Sequence, residues 1–351
     1  MSKAKLKIGV IGLGRIGWRF HCATLAKHAE FELVGVADPE CDRRAEAERE
    51  YRCAAFADYR RLLKMNGLQA VAIAAPTHLH RPMASAALHH GLHVMLEKPM
   101  AATVRDSEYI VRTARACHRL LTVYQPHRVA AYFQHMCRLI AAGKIGTVYH
   151  VRRGMFNFSR RNDWQSLRKY GGGMLNNYGA HALDQVLQLV GYDVRRVFCN
   201  LRRVASLGDA EDVVKIVIET KQGLIGEVDI NQACAQALYT MEVIGTTGVI
   251  TLKTGQFDTL YVRRFSRAAL KPKWLDRKLA GANRQYPSDQ IAFKEETIPI
   301  NEQFEVDVYR DFARAIRTGT VPFVDPRETL ALMHIMAQCR CDAERIRFTP
   351  L

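Results

Sequence analysis

The chain reads as an α/β N-terminal domain built on a doubly wound parallel sheet, followed by an α+β domain with an open, largely antiparallel sheet. Three features carry this reading. A strand–glycine turn–helix–strand unit opens the chain, strand and helix alternate up to residue 126, and consecutive strands joined by short turns follow. At 351 residues the chain is too long for one ordinary core, and we divide it into residues 1–126 and 127–351.

"KLKIGVIGLGRIGWRF" begins with an apolar strand, Leu6 to Ile11, and continues with Gly12, Gly14 and Gly17 in GxGxxG spacing. The next residues, through Lys27, read as a helix, and a second strand, Phe31 to Ala37, ends at Asp38. Gly12 permits a tight turn and Gly14 lets a pyrophosphate approach the backbone. Gly17 lets the helix pack closely on the sheet, with its N-terminus facing the phosphates. Asp38, 21 residues after Gly17, stands where a carboxylate accepts hydrogen bonds from a ribose diol. GxGxxG alone is weak evidence, but the whole unit in register predicts a Rossmann dinucleotide site. Apolar strands at 70–74, 93–96 and 121–124 then alternate with helical stretches near 79–90 and 103–117.

Ligands of such sheets sit beyond the carboxyl ends of the strands. "APTHLH" (75–80), "EKPM" (97–100) and "YQPHR" (124–128) occupy those ends, so Lys98 is delivered to the crevice and Pro99 restricts its backbone. We assign cofactor contacts to Gly12, Gly14, Arg15, Ile16, Gly17, Asp38, Pro76, Thr77, His80, Glu97, Lys98 and Gln125. Asp38 would repel a 2′-phosphate, which makes NAD the expected cofactor. Arg43 and Arg44, a few residues on, keep NADP open.

The second domain starts with a helix from Arg128 (Val129, Phe133, Met136, Ile140) that "AAGKIG" ends, and a strand begins at Thr147. Strand-like runs follow at 194–204, 212–219, 224–231, 238–244 and 248–252, with turns such as "TKQG" and "GTTG". Helices at about 303–317 and 326–345 close the chain. Between the first strand and these runs lies "GGGMLNNYGAHALDQ" (171–185). Leu175, Leu183, Val186 and Leu187 give it a core face. Asn177, His181 and Asp184, separated by four and then three residues, would stack on one stripe of a helix.

Composition excludes several classes. Hydrophobic residues at 48% and charged residues at 25% describe an ordinary globular chain, and no apolar run is long enough to span a bilayer. The start of the chain shows no signal-peptide pattern, and nine cysteines lie scattered without a CxxC pair, which points to reduced thiols in the cytoplasm. His78, His80, His89, His90 and His93 cluster in sequence without carboxylates or cysteines at ligand spacing, so they read as loop and helix-end histidines and no metal is expected. The net charge of +16 is spread mostly in solvated pairs. Residues 263–294 concentrate it in Arg263, Arg264, Arg267, Lys271, Lys273, Arg277, Lys278, Arg284 and Lys294. This stretch reads as an insertion between the last strand and the closing helices, lying at a subunit edge or over a neighbouring active site. No nucleic-acid module accompanies the charge, so neither nucleic acid nor a membrane is expected as a partner.

Together, GxGxxG near the start, Pro76-Thr77-x-x-His80, Glu97-Lys98-Pro99 and the Gly171-Gly172-Gly173 helix with His181 and Asp184 resemble the Gfo/Idh/MocA oxidoreductase family. The resemblance spans essentially the whole chain, and the EKP plus GGG helix combination is its most specific part. It implies NAD or NADP chemistry on a sugar, cyclitol or related polyhydroxy or keto compound. It also implies a second-domain sheet that joins a homodimer or homotetramer, and a cis Lys98–Pro99 bond. On this reading the glycines let the loop pass close to the nicotinamide, His181 is the base for the hydroxyl proton, and Lys98 stabilises the developing alkoxide. Many members carry Asp where this chain has Asn177. We count Asn177 among the catalytic and substrate-binding residues as an amide that orients the imidazole without offering it a charge. Asp184 is read as an anchor for the helix.

The stretch "NFSRRNDWQSLRKY" (157–170) reads as a substrate lid, in which Trp164 faces a sugar ring and Arg160, Arg161 or Lys169 meets a charged group. Two other readings fit the same chain. One is a catalytically silent dinucleotide-binding regulator, which Asn177 permits and the retained Lys98 and His181 oppose. The other is an NAD-dependent glycosidase, whose bound cofactor cycles without net oxidation.

Overall fold

A computed structural model of the chain describes residues 4–270, 284 and 290–343. The first sheet consists of β1 (Leu6–Ile11), β2 (Phe31–Ala37), β3 (Ala54–Phe56), β4 (Ala70–Ile73), β5 (His93–Glu97) and β6 (Leu121–Tyr124). All pairings are parallel, in the order β3-β2-β1-β4-β5-β6. The order reverses at β1, so a crevice opens at the carboxyl ends of β1 and β4. A π-helical turn (Gly17–Cys22) follows the glycine turn and runs into α1 (Ala23–Leu25). The other crossovers contain α2 (Cys41–Tyr51), α3 (Tyr59–Leu63), α4 (His80–His89) and α5 (Val104–Ala116). Thr103 and Asp58 start α5 and α3 as N-caps, accepting from Asp106 N and Arg60 N.

The helix expected from Arg128 is split by the extended Ala130 into α6 (Pro126–Val129) and α7 (Ala131–Ala141). The second sheet begins with β7 (Val148–Phe156). A π-helical turn (Leu175–Gly179) then leads into α8 (Ala180–Val190). Seven strands follow: β8 (Val194–Arg202), β9 (Val213–Thr220), β10 (Ile225–Asn231), β11 (Met241–Gly245), β12 (Gly248–Leu252), β13 (Thr259–Arg264) and β14 (Lys294–Pro299). The chain closes with α9 (Val308–Thr318) and α10 (Pro326–Ala343). The sheet order is β14-β13-β12-β11-β7-β10-β9-β8, with β7 and β10 parallel and the other neighbours antiparallel.

Strand β9 shows the two-residue period of a half-covered sheet. Val214, Ile216 and Ile218 are fully buried, and α8 and α10 lie on this sheet. The opposite face carries charge, with Lys215 bonded to Glu227 (2.9 Å) and Asp229 (3.3 Å) and Arg152 to Glu242 (2.8 Å). Among the described residues no helix is long and apolar enough to cross a membrane.

Two expectations need correction. Residues 263–294 do not separate the last strand from the helices. Arg263 and Arg264 end β13 and Lys294 begins β14, so the segment joins β13 to the edge strand β14, where Arg264 pairs with Glu296 at 2.8 Å. The part of it that includes Trp274 lies outside the described residues. Nor does all of the C-terminal stretch stay with the second sheet: α10 packs on it, but α9 turns to the first. On α9, Tyr309, Phe312 and Ala313 join the core of the first sheet with Ile8, Val10 and Phe31, and Phe312 stacks on Phe31 at 6.1 Å.

One ion pair fixes α8 to the end of β6. Arg128, 1% exposed, donates from Nε to Asp184 Oδ2 at 2.9 Å and from Nη2 to Oδ1, while Nη1 reaches Glu328 on α10. Asp184 is itself fully buried, so losing either partner strands a charge in the core. Asp184→Leu or Arg128→Met alone should cost about 3–5 kcal/mol of unfolding free energy, and the double replacement clearly less than their sum. Urea denaturation of the three variants measures this, and additive losses would show that the pair does not act as a unit.

Candidate active site

The glycine turn is shaped by contacts that leave no room for side chains. Gly12 adopts φ +92°, and a Cβ there would stand 2.6 Å from the Ala74 carbonyl; at Gly17 it would stand 1.8 Å from the Gly12 carbonyl. Gly14 meets nothing within 4 Å and leaves its backbone open to the crevice. A cleft of about 910 Å³ begins here and crosses the strand ends to the second domain. Gly12, Gly14, Arg15, Ile16, Asp38, Pro76, Thr77, Glu97 and Lys98 line it from the first domain. His127, Arg161, Trp164, Asn177 and His181 line it from the second. Asp38 is held by the backbone N–H groups of Leu13 (2.7 Å) and Glu40 (3.0 Å), with Arg43 at 3.6 Å.

Three residues expected at the cofactor stand behind the cleft wall. Gly17 is taken up by helix packing. His80 is buried with its Nδ1 2.9 Å from the Pro99 carbonyl and its Nε2 2.9 Å from the Ala75 carbonyl, so it ties the β4 and β5 loops together. Gln125 is 1% exposed and spends its amide on the protein, as described below. The neighbouring histidines disperse: His89 and His90 face carbonyls of their own helix, and His93 Nδ1 accepts from Leu120 N.

Lys98 follows β5 across a cis bond to Pro99. Its ammonium donates to the Asn177 carbonyl (2.8 Å) and to Asn177 Oδ1 (3.2 Å). Burial pulls its pKa down to about 8; the Glu97 carboxylate opposes this and the Arg161 charge adds to it.

His181 is oriented by Gln125. The Gln125 Nε2 donates to the Ala180 carbonyl at 3.4 Å, which turns Oε1 toward His181 Nδ1 at 3.2 Å. An amide oxygen only accepts, so this network assigns the ring proton to Nδ1 and leaves the Nε2 lone pair available. Burial, with the charges of Lys98, His127 and Arg153, holds the ring well below its ordinary 6.5, so it is neutral near pH 7. His127 stacks on it with centroids 4.3 Å apart and planes within 12°, and burial pushes His127 down to about 3.

Asn177 does not orient the imidazole. It lies in the π-helical turn before α8, where the widened turn breaks the four-residue stacking expected of an α-helix. Its Oδ1 accepts from Lys98 and its Nδ2 donates to Gln165 Oε1 at 3.1 Å. The amide therefore bridges the lysine and the 157–170 loop, and Gln125 holds the histidine.

The three glycines also answer to the protein's own crowding. A Cβ on Gly172 would lie 2.4 Å from the Gln165 carbonyl, and one on Gly173, at φ +103°, 2.2 Å from the Glu211 carboxylate. Glu211 Oε1 in turn accepts from Leu175 N at 3.1 Å. Within residues 157–170, Trp164 heads a 3₁₀ turn capped by Asp163 and lines the cleft beside Arg161, which pairs with Asp163 at 2.5 Å. Arg160 turns away to the Ala205 carbonyl (3.2 Å), and Lys169 lies over the Tyr170 ring (4.7 Å). Sequence reasoning missed the roles of Gln165 and Glu211, which carry no motif. The strand-end "YQPHR" did flag Gln125 and His127, though not their pairing with His181.

Comparison with known proteins agrees with this architecture. Residues 6–125 match the oxidoreductase family described as having an NAD-binding Rossmann fold, and residues 133–251 match the GFO/IDH/MocA C-terminal domain. A dTDP-3,4-didehydro-2,6-dideoxy-alpha-D-glucose 3-reductase of Streptomyces antibioticus is 26% identical over 327 residues, 91% of each chain. A D-glucoside 3-dehydrogenase of Escherichia coli is 26% identical over 196 residues, 55% of this chain, and the match spans just over half (56%) of that protein's length. The solved structure of an NAD-binding protein from Listeria innocua superposes with a TM-score of 0.84 at 22% identity, covering 98% of each chain.

Asn177→Asp would place a carboxylate against the Lys98 ammonium. The Lys98 titration should then rise from about 8 by about one to three units, with a smaller change at His181. Side-chain NMR titration of both groups checks this, and a larger shift at His181 would return Asn177 to the imidazole.

Proposed function

Because the chain belongs to the Gfo/Idh/MocA family of oxidoreductases, we propose that it transfers a hydride between NAD and a carbinol or ketone carbon of a sugar, cyclitol or related polyhydroxy compound. The observation that carries this reading is the meeting of a strand-end ammonium and a neutral imidazole in one cleft with the glycine turn and Asp38. The turn fits the dinucleotide: Gly14 offers open backbone for a pyrophosphate, and the Asp38 carboxylate faces the cleft for a ribose. When bound, the nicotinamide supplies the hydride acceptor or donor.

The residues of the chain handle the proton and the charge. Two Lys98 hydrogens go to Asn177 and the third is free to bond the substrate oxygen, where the positive charge stabilises an alkoxide. His181 Nε2 takes the hydroxyl proton in oxidation and returns it in reduction. Trp164 supplies a flat apolar face for a ring. The sugar-directed names of the Streptomyces and Escherichia coli relatives support this substrate class. The free cysteines suit a cytoplasmic protein, and the charged sheet face suits assembly into a homo-oligomer. Screening sugars, cyclitols and their keto forms for the absorbance change of reduced cofactor tests the reading. Bound cofactor without steady-state turnover on any of them would favour the silent regulator or the glycosidase.

Lys98→Met should leave dinucleotide affinity within about tenfold but lower turnover by about 10² or more. Unchanged turnover would remove Lys98 from the chemistry. In the oxidative direction, kcat/KM should fall at acid pH only well below 6.5, as His181 protonates, and fall again above about 8, as Lys98 loses its proton. A rate that climbs through pH 8 would make Lys98 the base instead. Asp38 should favour NADH over NADPH in fluorescence titration, and tighter NADPH binding would show that Arg43 outweighs it.

A further inference from the structure

A line of hydrogen bonds runs behind the cleft through residues the proposed reaction does not use. Tyr309, carried in by α9, has its hydroxyl 3.0 Å from His21 Nδ1, and His21 Nε2 lies 3.0 Å from Glu97 Oε1. Glu97 Oε2 accepts the backbone N–H of Lys98 at 3.2 Å. His21 is fully buried and Tyr309 is 4% exposed. Tyr124 closes the line from the cleft side, its ring 5.0 Å from His21 and 6.1 Å from Tyr309.

The chemistry gives this line a direction. The Glu97 carboxylate accepts from His21, so Nε2 carries the ring proton and Nδ1 accepts one. Burial raises both phenols far above their ordinary value, Tyr124 to about 12, so Tyr309 keeps its hydrogen near neutral pH, and its hydroxyl meets both His21 Nδ1 and the Tyr124 side chain. A weaker contact from Tyr309 to the Phe20 carbonyl, at 3.4 Å, competes poorly with the 3.0 Å bond. The line therefore runs from Tyr309 through His21 to Glu97, the residue next to Lys98, with Tyr124 as a second partner of the Tyr309 hydroxyl.

We propose that His21 and Tyr309 are positioning residues: they hold the Glu97 carboxylate in place beside Lys98, and through it α9 governs the acidity of the cleft lysine. Glu97 is the charge that opposes the desolvation of Lys98. The other groups around the line do not replace it. Arg161 faces Lys98 with like charge, and burial holds His127 and His181 below their ordinary range. His80, beside Glu97, is lowered in the same way and bonded to carbonyls. Cys22 acts on Tyr309 and Glu305 on Tyr124, each favouring the neutral phenol.

The proposal rests on reading Lys98 as the group that meets the substrate oxygen, but its test needs no turnover. The pH dependence of acetylation of Lys98, read by mass spectrometry of its peptide in the full chain, reports the titration of the amine. Glu97→Gln should lower the midpoint by about one unit. Tyr309→Phe and His21→Gln should lower it in the same direction by less, and Tyr309→Phe should add nothing in the Glu97→Gln background. Tyr309→Phe keeps the ring packing, so it carries the test if His21→Gln fails to fold. A folded Tyr309→Phe protein with an unmoved midpoint, or with a shift that persists in the Glu97→Gln background, would overturn the proposal. A chain that oxidises no polyol yet shows these shifts would sink the functional reading and leave this one standing.

Discussion

The buried pair between Arg128 and Asp184 determines whether the cleft has two working sides. Arg128 stands just past β6, among the residues that end the first sheet, and Asp184 stands on α8, one turn beyond His181. Because a guanidinium meets a carboxylate in one planar geometry, the bond sets both the distance and the rotation of α8 against the strand end. Gln125 and His127 lie on the Arg128 side of this bond, and both touch His181. The tautomer and aim of the proposed base therefore depend on an ion pair that does not line the cleft.

Desolvation is the common cause behind the charges in the cleft. It acts on both groups: it keeps His181 neutral, as the proposed base must be, and weakens the hold of Lys98 on its proton. Two groups that share a site thus titrate far apart, the usual condition for dividing acid and base roles. Asn177 fits this scheme as a neutral acceptor. It takes two bonds from the ammonium without adding the charge that would lift Lys98 far above neutrality, and it passes the position of Lys98 to the 157–170 loop through Gln165.

The parts of the fold with strong apolar periods were legible in the sequence. The central strands β1 and β4 are largely buried and read as apolar runs, and the glycine turn carried its geometry in its spacing. The elements that escaped lack such periods. On α2, "CDRRAEAEREY" buries only Ala47, and β3 is three half-buried residues long. Strands β13 and β14 flank the basic segment, whose charge masked their alternation. At the site, Lys98, Asn177 and His181, which line one cleft, were legible because strand ends and helical stripes point to them. Their partners were not, since Asn177 sits in a π-helical turn that no four-residue spacing foretells, and Gln125 meets His181 only through the tertiary fold. The return of α9 to the first core is likewise a long-range contact with no local signal.

The central claim is that Lys98 and His181 act on one oxygen of the substrate. A crystal structure of the chain with NAD and a polyol that it oxidises tests this directly. Lys98 Nζ and His181 Nε2 should both lie within about 3.2 Å of the same carbinol oxygen, with Gln125 still bonded to Nδ1. A complex in which His181 faces away from that oxygen, or in which Lys98 stays bonded only to Asn177, would contradict the account.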